Sequence, residues 1–319
     1  MIAGIDVGAY KHAIATAEKV KLFDATDIDG IIAFLIENEV KEIILEPTGI
    51  YHIPLCRELL GYFQIYMVHS TRFGRFRAGF MKKKGDIEDA KLLREFPKQH
   101  TYEITEEWIK AKELGCLILE HTRIKKDITQ EINRLRRDLY LENPSLAFMT
   151  PASYKVENFK DLPIERTTLM RIKHIEELKD LQKEIAKRIK KEVKEHRDGE
   201  ILLSIPGISY ITAGLLISTY VSIENFKSVK HFKAFMGFGL NSRESGVSIK
   251  VERTAKAHIP IRASLFRVVL VNANRDNKIG DYYREYRKRM PFRKAVMRTS
   301  AKLTEWIYYM LKHKKPFIS

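Results

Sequence analysis

Cysteine is nearly absent from this chain. Its two examples, Cys56 and Cys116, each stand alone, far from any paired His or Cys. That excludes a disulfide framework and a zinc site built from spaced ligand pairs, and it fits a reducing cytoplasm. No apolar run approaches the length needed to span a bilayer, and the opening MIAGIDVGAYKH lacks a basic stretch followed by an apolar one. The expectation is an unexported, cytoplasmic protein with no membrane partner. There is no internal repeat and no low-complexity tail. Acidic residues are in deficit, 41 Asp+Glu against 57 Lys+Arg, for a net charge of +16. Such a surplus points to a polyanion as partner, although non-catalytic nucleic-acid binders share it.

What is present falls into three textures, which divide the 319 residues at about 104 and 198. In residues 1–104, IAGIDVG, HAIATAE and KLFDAT are candidate strands. IDGIIAFLIENEV is then a helix, EIILEP a buried strand, YHIPLCRELLGY a helix and FQIYMVH a further strand, with helix after it. Three leading strands followed by alternating helices and strands are the order of an RNase H-like (RuvC-like) α/β fold with a mixed sheet. Residues 105–198 carry two long heptad-like runs, read as a coiled-coil arm that reverses in ENPSLAFMTPASYKVENFKDLP. Their charge runs read as a solvated helix face or as a direct DNA contact. Residues 199–319 read as a mostly α domain.

The chemistry-bearing residues concentrate in two places. Asp6 interrupts the first apolar strand, a costly position for an isolated charge. Glu46 ends EIILE just before Pro47, where strand ends commonly present catalytic groups. In KKKGDIEDAKLL, Asp86 and Asp89 lie three residues apart on one side of a helical turn. Four carboxylates from two strands and one helix suit hard divalent cations, Mg²⁺ or Mn²⁺, which activate an attacking oxygen and stabilise the leaving oxygen of a phosphodiester. Asp86 and Asp89 have a plainer reading, as an N-cap and a first-turn acid beside the helix dipole.

GIDVGAYKHAIA, LEPTGIYHIPL and KGDIEDAKLL resemble the acidic motifs of the DEDD-type insertion-sequence transposases, the family of the pilin-gene invertase Piv and the RNA-guided bridge recombinases. The resemblance puts the four catalytic and metal-binding acids on Asp6, Glu46, Asp86 and Asp89. It continues through the last third of the chain. There, IPGI around Pro206 and Gly207 reads as a helix-hairpin-helix turn whose amides can meet a DNA phosphate, or as an ordinary αα-hairpin. The family's usual glycine is Ser209 here. In GFGLNSRESGVSIK, the family's serine, in a polar loop before a glycine, falls on Ser245, with Ser242 and Ser248 as neighbours. That serine is implied to be the nucleophile that joins covalently to DNA. Arg243, Lys250, Arg253 and Lys256 are candidate phosphate contacts around it, or simply part of a solvated loop. A guide RNA and a dimer or tetramer are implied by the resemblance as well. Two rivals remain open at this point: a RuvC-like structure-specific endonuclease that uses a metal-activated water, and a non-catalytic nucleic-acid scaffold.

Overall fold

The computed structural model describes residues 1–80, 85–239, 241–245, 248–252 and 259–318, with 241–245 and 248–252 as backbone alone. These residues form a mixed α/β, mostly helical protein with two compact units, Met1–Glu113 and Leu114–Ser319. No helix among the described residues is long and apolar enough to cross a membrane.

The first unit is built on a six-stranded sheet in the order β3-β2-β1-β4-β5-β6. The strands are β1 (Ile2–Val7), β2 (Lys11–Ala15), β3 (Val20–Asp24), β4 (Glu42–Leu45), β5 (Gln64–Val68) and β6 (Thr101–Glu103). Strands β1, β2 and β3 form an antiparallel meander, β4 and β5 run parallel to β1, and β6 returns antiparallel to β5. The helices are α1 (Ile28–Glu37), α2 (His52–Leu59), α3 (Ser70–Phe80) and α4 (Asp86–Glu95). Alternation along β1 sends Ala3, Ile5 and Val7, all buried, to one face and Gly4 and Asp6 to the other. The second face is covered by α4. Ala90 packs with Ala13 and Ala15 of β2, and Leu93 packs with Ile44 of β4 and with Phe73 of α3. Gly4 makes this close approach feasible, because a Cβ there would collide with the Ala90 carbonyl and the Arg94 amide. Overpacking of that kind costs about 1–3 kcal/mol or displaces the helix.

Among the described residues the second unit is helical, apart from one ribbon. Helix α5 (Glu106–Glu142) starts before the boundary at Leu114 and runs on into this unit, and α6 (Pro144–Ala147) and α7 (Arg166–Glu195) follow. The end of α5 meets the start of α7. Glu142 accepts hydrogen bonds from the Glu165 amide at 2.9 Å and from the Thr168 hydroxyl, and Asp138 accepts one from Arg171 at 3.0 Å. Ile124, Ile128, Ile132, Leu135 and Leu139 of α5 recur at three- and four-residue spacing and share one core with Ile172, Ile175, Ile185 and Ile189 of α7. The same core includes α8 (Gly199–Leu203), α9 (Tyr210–Tyr220), α10 (Val229–Phe235), α11 (Ile259–Asn272), α12 (Lys278–Arg289) and α13 (Phe292–His313). Strands β7 (Asn241–Ser245) and β8 (Ser248–Glu252) pair antiparallel as a two-stranded ribbon.

Candidate functional site

The carboxylates gather around the first unit's α4-covered face. Asp6 lies opposite Ala13 of β2, and the pairing of Ile5 with Leu45 sets Asp6 alongside Glu46, one residue past the end of β4. Each is half-buried, so the fully buried charge expected at Asp6 is corrected: the end of a strand admits solvent where its middle would not. Asp89 lies on α4 directly before Ala90, which covers Gly4. It is 2 % exposed, and Arg77 of α3 donates to its Oδ2 at 2.7 Å. The other oxygen, Oδ1, is buried and has no hydrogen-bond partner among the described residues.

Asp86 differs from Asp89. It is the first residue of α4 and is exposed, so the two acids share a helical turn without sharing an environment. Nor is Asp86 a cap. Gly85 is the N-cap, and it brings no side-chain bond to the helix start. Glu88 joins Asp86 and Asp89 in the first turn, where negative charge meets the positive end of the helix dipole.

The donor chemistry is all carboxylate oxygen, the kind a hard cation takes, and the unpartnered Oδ1 of Asp89 is the atom such an ion would satisfy. As the side chains stand, no group of three or more His, Cys, Asp or Glu among the described residues is close enough to hold a metal ion. Two histidines border the motifs. His12 lies on β2 opposite Val7, and His52 opens α2, its ring 5.8 Å from that of Trp108. Burial is the main force pushing both below the ordinary histidine range, so each favours its neutral form.

In the second unit, Pro206 and Gly207 form a tight turn between α8 and α9. The Ile208 amide donates to the Ile205 carbonyl at 3.1 Å, and Gly207 has φ +88°, a conformation that favours glycine. Gly207 and Ser209 are exposed. The hydroxyl of Ser209 accepts from the Thr212 amide at 3.2 Å, so the residue in the family's glycine position works as the N-cap of α9. Beneath the turn lies Asn272 at the end of α11, with 0 % exposure. Its amide donates to the Pro206 carbonyl at 2.7 Å and to Val268 at 2.8 Å, and its oxygen accepts from Asn277 at 2.8 Å. Asn277 in turn caps α12 through the amides of Ile279 and Gly280.

Ser245 is the last residue of β7 and lies opposite Ser248 in β8. The polar loop expected there is corrected to a strand, because NSRES and SIKVE pair with one another. Ser242 also belongs to β7, and Arg243 pairs with Lys250 across the ribbon. Arg253 and Lys256 lie outside the described residues.

Comparison with known proteins bears on this part of the chain. Residues 199–284 match the model of the transposase IS116/IS110/IS902 family. The chain carries a transposase domain of this family. It is accordingly an enzyme of DNA transposition or recombination, and DNA is its partner. No curated protein matches the chain. The transposase domain takes in the Pro206–Gly207 turn, the β7–β8 ribbon with Ser245, and all of α11. Asp6, Glu46, Asp86 and Asp89 precede it. Two residues of these sites had no sequence signal. Arg77 is one of several arginines in a basic helix, and Asn272 ends an apolar one.

Proposed function

We propose that the enzyme breaks and rejoins DNA with two groups of residues, the N-terminal acids and the serine of the transposase domain. In this reading residues 1–104 are an RNase H-like (RuvC-like) catalytic part, 105–198 a helical coiled-coil arm, and 199–319 the serine-bearing part. The meander of β1–β3 with β4 and β5 parallel to β1 supports the fold assignment. The observation that carries the site is the Oδ1 of Asp89, buried and without a hydrogen-bond partner among the described residues, on the helix that covers the sheet face to which Asp6 belongs, with Glu46 alongside Asp6. An unmet buried acceptor costs about 1–3 kcal/mol, so a stable fold that keeps one invites a ligand.

Asp6, Glu46, Asp86 and Asp89 would hold Mg²⁺ or Mn²⁺, which when bound supplies activation of the phosphodiester and stabilises the leaving oxygen. Arg77 fixes the carboxylate of Asp89 through one oxygen and leaves the other directed to that role. The Ser245 hydroxyl attacks the phosphorus. An Oγ–P bond forms, the bond from phosphorus to the departing strand's oxygen breaks, and the hydroxyl proton is lost as the departing oxygen gains one. The resulting phosphoserine ester conserves the bond for rejoining. Exposed Gly207 and the amides around it suit a backbone phosphate, as do Arg243 and Lys250 on the ribbon. A guide RNA and a dimer or tetramer belong to the same reading through the resemblance of the motifs.

Incubating the protein with Mg²⁺ and labelled target DNA, then denaturing it, should give a DNA-linked band. The band should vanish in Ser245→Ala and in Asp6→Asn and persist in Ser242→Ala and Ser248→Ala. Free ends from wild type, with undiminished cleavage by Ser245→Ala, would replace the serine mechanism with that of a metal-dependent endonuclease.

A further inference from the structure

The charged arm contains a second feature that the strand-breaking reading does not use. From Arg123 to Arg137, α5 carries six basic residues and two acidic ones. Arg123, Lys126, Arg134 and Arg137 recur at helical spacing and are all exposed. Of its two acids Asp127 stays exposed among the cations, whereas Glu131 is drawn elsewhere, as is Asp138 just past the stretch. Arg171 of α7 donates to Glu131 at 2.6 Å and to Asp138 at 3.0 Å, pulling both towards the α5–α7 seam. Burial works against the charged form of Glu131, yet hydrogen bonds from Arg171 and Arg134 hold its carboxyl below the ordinary range. With six exposed cations against one exposed acid, the outward face is net basic.

This face ends in exposed apolar surface. Tyr140 is 55 % exposed, and Leu141 and Phe148 are each 79 % exposed. The two rings meet edge to face with centroids 6.3 Å apart, which leaves ring faces open to solvent. With Arg136 and Arg137 they border an open cavity of about 490 Å³. Rings beside arginines at the end of a basic row match what an unpaired strand offers, phosphates for the cations and a π-face for each ring. A duplex keeps its bases stacked inside and would engage only the cations. A stable protein interface takes ~20–30 residues a side around an apolar core, far more than three apolar side chains.

We infer that the far end of α5, with Tyr140, Phe148, Arg136 and Arg137, is a binding site for unpaired DNA, its bases stacking on the rings and its phosphates running along the basic face. The inference rests on DNA being the partner and adds a place on the arm where separated strands are held.

The test uses the full chain and fluorescence anisotropy, with a single-stranded oligo-dT and a fully paired duplex as probes. Replacing both rings, Tyr140→Ala with Phe148→Ala, should weaken oligo-dT binding roughly tenfold or more while duplex binding stays within about twofold. Tyr140→Phe alone, which keeps the ring, should bind as wild type does. Unchanged oligo-dT affinity in the double variant overturns the site, as does an equal loss on duplex. A larger loss for oligo-rU would assign the surface to RNA, and a halved mass in sedimentation would assign it to a second copy of the chain. Either overturns the DNA assignment. Failure of wild type to bind any DNA would instead break the underlying reading.

Discussion

The start of α4 and the turn between α8 and α9 both present polar groups at a helix beginning, and they are finished in opposite ways. At the turn every stated polar group is answered. Asn272 uses both donors and its acceptor, Ser209 caps α9 and Asn277 caps α12. At α4 the cap is a glycine with no side-chain bond, and a nearly inaccessible carboxylate has one oxygen on Arg77 and the other without a partner among the described residues. A closed network lowers the energy of one conformation and therefore fixes backbone for presentation. An open one keeps an acceptor available at a cost in stability, as chemistry demands. The turn is therefore a fixed surface, and the α4 start keeps an acceptor without a partner among the described residues.

The sharpest way to break that contrast is to change the open site. Asp89→Asn should lower strand cleavage on the order of 100-fold or more and also lower the melting temperature, since Arg77 loses a charged partner worth about 1.5–3 kcal/mol. Asp6→Asn should cost comparable activity. If Asp89→Asn melts early yet cleaves normally, Asp89 is only the counter-ion of Arg77. The closed site should respond in stability first. Asn272→Ala leaves the Pro206 carbonyl unpaired and should cost about 2–4 kcal/mol in denaturant unfolding. A loss below ~1 kcal/mol would mean that water replaces the amide. The finest test is at the cap, where Ser209→Ala should cost about 1 kcal/mol and Ser209→Gly only a few tenths. Equal losses would point to helix propensity rather than capping.

Much of this was legible in the sequence, for identifiable reasons. Strands β1, β4 and β5 announce themselves because central strands of a sheet covered on both faces are continuous apolar runs. The α8–α9 turn shows because Pro-Gly between apolar helices has few other uses. Strand β6 is only Thr-Tyr-Glu, defined by its pairing with β5 rather than by its own residues. The β7–β8 ribbon, rich in Ser, Lys and Glu, looks like loop because its order comes from register. Among site residues, Asp6 and Glu46 stand out as charges in or at the end of apolar runs. Arg77 does not, since its partner is twelve residues away on another helix. Nor could spacing reveal that Asp86 is exposed and Asp89 buried, which depends on how α4 lies against Gly4.

Asn272 also sets an order of events. The amide that holds the Pro206 carbonyl is 66 residues further along the chain, so the turn's hydrogen bond closes a long loop whose entropy is lost before the bond can repay it. The α8–α9 hairpin can collapse early as two apolar helices, while its exposed turn acquires its final shape only when α11 docks beneath it. Newly synthesised chain as far as α10 would hold the helices of this corner without the contact that sets its backbone, so the exposed turn would be the last part of the corner to settle.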